Sequence, residues 1–241
     1  MNVWVLIGVA GTMALAAGTQ QVSGFGFALM AMPLLTVLVG PRDAVALEAV
    51  AGMAGGVAMA WSLRDQVAWV PLRRLLLGAV FGLPLGALVL GHVPETPLRI
   101  AVAVAVVVMV VVLASGVRMA DESPRTEVGA GFVSGVMGTS IGISGPPVVL
   151  VLQAARMEQH RFRATAVTFF VLTNIAVLPL LLGTGVADVD RWPAAVVAVP
   201  AAILGNRACA GLAQRVPPER FRALVLVLLV LAAGAALAAA L

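Results

Sequence analysis

The sequence has few of the residues that a water-soluble protein places on its surface. Only 11% of its 241 residues are charged, none is lysine or tyrosine, and 61% are hydrophobic. Soluble domains are roughly a quarter charged, so this composition excludes a soluble globular protein. The mean hydropathy of +1.07 predicts an all-α integral membrane protein instead, with the lipid bilayer as its solvent.

A single cysteine and two histidines limit the chemistry that is available. Cys209 on its own excludes an intramolecular disulfide and a cysteine-based metal site. His92 and His160 fall at the ends of apolar segments, where neither can take part in a metal site or a proton relay within the membrane. We therefore expect no metal and no cofactor. The isoelectric point of 11.2 does not indicate nucleic-acid binding, because the arginines flank apolar segments and face lipid headgroups there.

Six segments are apolar for the roughly 20 residues that a bilayer-spanning helix needs. Their ranges are 44–63, 69–93, 98–117, 164–186, 192–213 and 221–241. Two further apolar regions, 3–40 and 128–157, are each interrupted by a glycine-rich polar patch, at 18–26 and 138–147. The apolar stretches on either side of a patch are only about 13 to 16 residues long, which is short for a full span. Each region is therefore predicted to be a hairpin of two short helices that meet inside the membrane.

The arginines predict how the chain is oriented. If each hairpin leaves and returns on one side, twelve of the 15 arginines fall on one face and only Arg42, Arg99 and Arg191 on the other. An excess of positive charge marks the cytoplasmic side of the inner membrane, so both termini are predicted to lie outside.

The number of membrane crossings in each half of the chain predicts two inverted repeats. Each half, 1–118 and 128–241, consists of one hairpin and three spanning helices, and therefore crosses the membrane an odd number of times. The halves would then have opposite topology. The hydrophilic segment 119–127 is the expected cytoplasmic linker between them.

The two polar interruptions are the strongest candidates for a binding site. A break in a transmembrane helix leaves backbone groups that hydrocarbon cannot satisfy, so protein, water or a ligand must do so. The helices that follow, from near Phe27 and Pro146, would direct their NH groups and positive dipole ends at the midplane, which favours an anion. The candidate substrate-binding residues are small or carry uncharged donors: Gln20, Gln21, Ser23, Gly24, Gly26, Ser140, Gly142, Ser144, Gly145 and Pro146.

A simpler interpretation is that these glycines only allow helices to pack closely. We expect that role for Gly78, Gly82 and Gly86, which share one face of a predicted helix. That glycine face could serve internal packing or a homodimer.

Glu48 lies inside the segment 44–63. A buried carboxylate is costly and is usually functional, so Glu48 is the candidate for proton coupling. The alternative is that Glu48 extends to the interface or pairs with Arg42. Asn174, in the middle of 164–186, is interpreted as a contact between helices rather than as a substrate ligand.

The motifs Gly24-Phe-Gly-Phe-Ala-Leu-Met-Ala-Met-Pro-Leu-Leu35 and Gly138-Thr-Ser-Ile-Gly-Ile-Ser-Gly-Pro-Pro-Val-Val-Leu150 resemble the paired signatures of the sulfite exporter TauE/SafE family. The resemblance covers essentially the whole chain. It implies a secondary transporter of small anions, typically sulfite, thiosulfate or organosulfonates such as sulfoacetate, driven by protons or the membrane potential. Other members have a third consecutive glycine where this chain has Phe27, which implies that the second hairpin grips the substrate more than the first.

The sequence therefore predicts a carrier for a small sulfur-containing anion that works by alternating access, and not an enzyme. A channel-like or assembly subunit is the first alternative. An intramembrane hydrolase is the second, but the serines lack a histidine partner and Glu48 lacks a second intramembrane carboxylate.

Overall fold

The computed structural model describes residues 2–115, 123–155, 157–185 and 192–210. Within these ranges the chain is helical and has no strand. The helices are α1 (Val3–Ser23), α2 (Phe27–Val39), α3 (Pro41–Ser62), α4 (Trp69–His92), α5 (Glu95–Ser115), α6 (Pro124–Ile141), α7 (Gly145–Ala154), α8 (Gln159–Gly183) and α9 (Trp192–Ala210), with a 3-10 turn at Arg64–Gln66.

Five of the described helices are long and apolar enough to cross a membrane, namely α1, α3, α4, α5 and α8. Helices α2, α7 and most of α9 are apolar but shorter. The prediction of an all-α integral membrane protein is confirmed. The expected span 221–241 and residues 119–122 of the expected linker lie outside the described residues.

Helix α1 is longer than the sequence suggested. It runs for 21 residues, which is enough to cross the hydrocarbon core, so the expectation of a short first helix was wrong. Its polar end remains helical because hydroxyl groups donate to carbonyls one turn earlier. Thr19 Oγ1 lies 2.7 Å from the Leu15 oxygen, and Ser23 Oγ lies 2.8 Å from the Thr19 oxygen. Helix α2, with 13 residues, is short.

Both breaks have the same backbone design. Helices α1 and α6 each end in a glycine with positive φ, at Gly24 (+86°) and Gly142 (+71°), a conformation that only glycine adopts without strain. A spacing of 118 positions relates the two breaks and the helix starts beside them: Gly24 to Gly142, Gly26 to Ser144, Phe27 to Gly145, and Pro41 to Gln159. This constant spacing favours two halves built alike, and their inverted orientation stays a prediction.

Three closely packed helix pairs connect the two halves of the chain, and each pair contains one helix from each half. Helix α4 packs against α6, α1 against α9, and α3 against α8. The α4/α6 contact brings the backbones together: a Cβ at Gly78 would overlap the carbonyl oxygen of Val128, and one at Gly82 that of Phe132. The glycine face of α4 is therefore used within the chain. A homodimer stays a prediction.

Candidate substrate site

A small buried cavity lies where the two breaks meet α3 and α8, and we call it the inner cavity. Its volume is about 10 Å³, about enough for one water molecule. The described residues that line it are Gln20, Phe25, Phe27, Ala28, Glu48, Gly52, Ser144, Gly145, Phe170 and Asn174. Residues from α1, α2, α3, α7 and α8 thus surround one point in the protein interior.

The first turns of α2 and α7 both border the inner cavity. Phe27 and Ala28 belong to α2, and Gly145 begins α7. The first NH groups of a helix have no partner within it, and no side chain caps either N-terminus. In α7 the NH of Gly145 stands alone at this end, because the next two residues are prolines without an NH. The two breaks approach each other closely, since a Cβ at Gly145 would lie 3.8 Å from the Phe25 carbonyl oxygen. Two positive helix ends therefore face the same space.

Polar side chains complete the wall of the inner cavity. Gln20 is 2% exposed, and its Oε1 atom has no hydrogen-bond partner among the described residues. The carboxyl of Glu48 faces the side-chain amide of Asn174. Gly52 permits this arrangement, because a Cβ there would lie only 2.8 Å from Asn174 Nδ2 and 3.2 Å from Glu48 Oε1.

Arg42 does not neutralise Glu48. Its guanidinium donates from Nε to the carbonyl oxygen of Leu90 at 3.3 Å and from Nη2 to that of Gly91 at 3.2 Å. Arg42 therefore holds the C-terminal end of α4. None of the ion pairs between described residues includes Glu48, so this carboxyl is buried with an amide as its polar neighbour.

Several predicted residues shape the breaks instead of lining the inner cavity. The Ser23 hydroxyl accepts hydrogen bonds from the NH groups of Phe25 (3.3 Å) and Gly26 (3.1 Å). A Cβ at Gly142 would lie 2.5 Å from Met32 Sδ, and one at Gly24 would lie 2.9 Å from Arg163 Cγ.

Four residues predicted as site residues do line the inner cavity: Gln20, Glu48, Ser144 and Gly145. Ser140 and Pro146 are buried next to the second break, and Gly26 packs against Thr19. Gln21 lines a different cavity. Binding by all of these residues stays a prediction.

That second cavity, which we call the vestibule, has a volume of about 520 Å³. It is bordered by the ends of α1, α3 and α9 and by the beginning of α8. The described residues that line it are Gln21, Ala54, Gly55, Ala58, Met59, Ser62, Leu63, Arg163, Ile203, Asn206 and Arg207. Its arginines belong to the face that is predicted to be cytoplasmic, which we call the arginine-rich face.

Sequence reasoning missed two polar residues at these cavities. Asn174 was interpreted as a contact between helices, and it does join α8 to Glu48 of α3, but its place in the lining of the inner cavity was not predicted. Arg163 was counted only for membrane orientation, yet its Nη2 donates to the carbonyl oxygen of Gln21, 142 positions away. A contact over that separation has no local signal in a single sequence.

Comparisons with known proteins agree with this architecture. Residues 9–236 match the family described as sulfite exporter TauE/SafE. The chain belongs to that family. The resemblance seen in the two glycine motifs is thereby confirmed, and the protein is a multi-pass membrane protein of a transporter family.

Two curated relatives illustrate the family. The probable inner membrane transporter protein TsaS of Comamonas testosteroni is 29% identical over 173 residues, which is 68% of this chain and 70% of the relative. The probable sulfite/organosulfonate exporter TauE of Cupriavidus necator is 26% identical over 217 residues, which is 85% of this chain and 82% of the relative. No solved structure matches the chain.

Proposed function

We propose that this protein is a secondary transporter that moves a small sulfur-containing anion across the inner membrane by alternating access around the inner cavity. The substrate would be sulfite, thiosulfate or an organosulfonate such as sulfoacetate. The observation that supports this most directly is the convergence of two uncapped helix N-termini, at Phe27 and Gly145, on one buried cavity. The name of the relative from Cupriavidus necator supports the substrate class.

The groups around the inner cavity suit an oxyanion. Backbone NH groups and helix dipoles stabilise negative charge without a metal. The Ser144 hydroxyl and the amide groups of Gln20 and Asn174 add donors without charge. Uncharged donors bind a sulfur oxyanion and can also release it, as a carrier requires.

The inner cavity is smaller than a sulfite ion. A volume of about 10 Å³ admits roughly one water molecule, whereas sulfite has four heavy atoms. The cavity must therefore widen for sulfite to bind. Rocking of one half against the other would supply that change.

The inner cavity also lies between equivalent residues of the two halves. Phe27 and Gly145 are 118 positions apart, as are Gly52 and Phe170, and both members of each pair line the cavity. A site on the pseudo-symmetry axis of a carrier can be reached from either side when the halves rock. This position favours a carrier over the channel-like or assembly subunit.

The proposal is tested by transport in liposomes that contain the purified protein. We expect saturable uptake and counterflow of sulfite, thiosulfate or sulfoacetate, and neither for sodium chloride alone. Ser144→Ala removes a donor from the inner cavity, and Gly145→Leu fills it, so both should lower kcat/KM by about tenfold or more. Gly129→Leu is the matched control, because a Cβ at Gly129 meets nothing within 4 Å.

Saturable counterflow would separate the carrier from a channel. If the wild-type protein moves none of these anions, the proposed function is wrong. If it moves one and both variants match the wild type, the anion binds elsewhere in the molecule.

A further inference from the structure

The charged side chains that line the vestibule are positive, which favours the binding of an anion. Its charged lining residues, among those that the structure describes, are Arg163 and Arg207. No aspartate or glutamate is among the described residues that line it. A concave surface lined by one sign of charge raises the local concentration of ions of the opposite sign.

Contacts fix the position of the Arg163 side chain, and some of its guanidinium N–H groups remain available to a ligand. Its stem packs against Gly24, and its Nη2 donates to the carbonyl oxygen of Gln21. Its Nε is buried without a hydrogen-bond partner among the described residues. A buried donor without a partner is costly, and a guanidinium binds an oxyanion through two parallel N–H groups. Nη2 carries two N–H groups, so whichever of them Gln21 accepts, one edge of the guanidinium, either Nε with Nη2 or Nη1 with Nη2, keeps two parallel N–H groups.

Asn206 is the second polar group without full hydrogen bonding at the vestibule. It is 9% exposed, and its Nδ2 donates to the carbonyl oxygen of Gly55 at 2.6 Å. Its Oδ1 has no partner among the described residues. That oxygen can accept a hydrogen bond from water or from an O–H or N–H group of a ligand, such as the O–H of hydrogensulfite. The vestibule therefore offers a charged donor pair and a neutral acceptor.

The vestibule and the inner cavity lie about one helix turn apart along α3. Gly55 lines the vestibule and Gly52 lines the inner cavity. Between them, a Cβ at Gly56 would lie 2.7 Å from Val171 Cγ2 and 3.9 Å from Gln20 Nε2. Gln20 and Val171 therefore pack against α3 at Gly56, and an anion in the vestibule lies about one helix turn from the inner cavity.

We propose that the vestibule contains an access site, in which Arg163 binds the transported sulfur oxyanion before the anion passes Gln20 into the inner cavity. The inference rests on the proposed function, since it names the route to the same inner cavity. Arg207, which is exposed at the rim, attracts the anion electrostatically. The access site serves the arginine-rich face alone, so it affects transport from that face and not from the other.

The experiment measures sulfite transport in vesicles of known orientation, with sulfite presented at one face at a time. Arg163→Gln should raise KM by about tenfold or more at the arginine-rich face, because a charge-assisted pair of hydrogen bonds is lost. Arg163→Lys should restore part of that loss, because an ammonium keeps the charge without the planar fork. At the opposite face KM should change less than twofold. Arg161→Gln, at an exposed arginine outside the vestibule, is the matched control.

A second variant tests the access site without changing Arg163. Ala58 is exposed and lines the vestibule, whereas its neighbour Val57 is exposed and does not line it. Ala58→Phe should obstruct the vestibule and raise KM at the arginine-rich face only, and Val57→Phe should match the wild type. This pair decides the question if Arg163→Gln fails to fold, because Arg163 also holds the end of α1.

The outcomes separate the two proposals. If the wild-type protein moves no sulfur anion, the proposed function itself is wrong. If it transports sulfite and KM at the arginine-rich face is unchanged in both Ala58→Phe and any folded Arg163 variant, the access site is overturned and the carrier stands. Equal increases in KM at both faces would also overturn it, because they would indicate damage to the shared inner cavity.

Discussion

Glu48 places a titratable carboxyl in the cavity that is proposed to bind an anion. An anion held by the first turns of α2 and α7 would be repelled by a Glu48 carboxylate that lines the same cavity. We therefore expect the anion to bind together with one proton, which makes Glu48 neutral. Because the protonated protein binds the anion better, anion affinity should fall as pH rises.

Glu48→Gln keeps the shape of the side chain and its contact with Asn174 but removes the titratable group. We expect the variant to retain counterflow and to lose both the pH dependence of anion affinity and the uptake driven by a proton gradient. Counterflow of thiosulfate or sulfoacetate, which keep their charge from pH 5.5 to 8.5, and uptake with and without a proton gradient check this. Sulfite is unsuitable here, because it takes up a proton itself within that range. Glu95→Gln is the control, since the Glu95 side chain is 55% exposed. A pH dependence that survives in Glu48→Gln would remove Glu48 from the coupling mechanism.

The sequence reveals a site residue only when that residue is unusual for the segment in which it lies. Gln20 and Glu48 were found because a polar side chain in an apolar segment is conspicuous in the sequence itself. Arg163 was not found, because arginine at the end of a span is expected for topology alone. Its contacts with Gln21 and Gly24 exist only in the folded chain.

At the scale of helices, α4 and α6 approach so closely that glycine is required at their contact. A Cβ at Gly131 would overlap the backbone carbonyl oxygen of Leu75, and backbone atoms cannot move aside as a flexible side chain can. Gly131→Ala must therefore separate the two helices. We expect it to destabilise the protein by about 1–3 kcal/mol or more.

The control for this prediction lies on the same helix, two residues away. A Cβ at Gly129 meets nothing within 4 Å, and alanine favours a helix over glycine by up to about 1 kcal/mol. Gly129→Ala should therefore be neutral or slightly stabilising. Thermal unfolding of both variants in detergent tests the contrast. Equal melting temperatures would mean that the α4/α6 contact is looser than the structure shows.

The helix breaks illustrate what sequence patterns can and cannot predict about elements. Glycine-rich interruptions located both breaks, because a positive φ at Gly24 and Gly142 needs that residue. The length of α1 was misjudged, because Thr19, Gln20 and Gln21 were interpreted as the interruption itself. Threonine and serine hydroxyls can bond to carbonyls within the helix, so a polar patch alone does not show where a helix ends.

For the whole molecule, the interlocking of helices from both halves restricts how the protein can open. Because α4 packs against α6 and α1 against α9, neither half can separate from the other without breaking these contacts. Helices α3 and α8 also pack closely beside the inner cavity, because a Cβ at Gly52 would lie 2.8 Å from Asn174 Nδ2 and one at Gly56 2.7 Å from Val171 Cγ2. The vestibule lies at the arginine-rich face, whereas the inner cavity, which Gln20 lines, is buried.

The location of the vestibule predicts which cysteine reagents reach it. In a Cys209→Ser background, Ala58→Cys should react with a membrane-impermeant maleimide from the arginine-rich face and not from the opposite one. Since that face is predicted to be cytoplasmic, labelling is expected in inside-out vesicles and not in intact cells. Labelling in intact cells alone would reverse the predicted orientation.

The same cysteine can report alternating access. Excess sulfite at the opposite face should trap carriers with the inner cavity open to that face, and the vestibule then closes. We expect the labelling rate at Ala58→Cys to fall several-fold, while Val57→Cys, outside the vestibule, keeps its rate. Gly145→Leu, which fills the inner cavity, should abolish the effect of sulfite in the Ala58→Cys protein. If sulfite leaves the labelling rate unchanged while counterflow continues, the anion crosses without closing the vestibule. That behaviour would indicate a channel rather than a carrier.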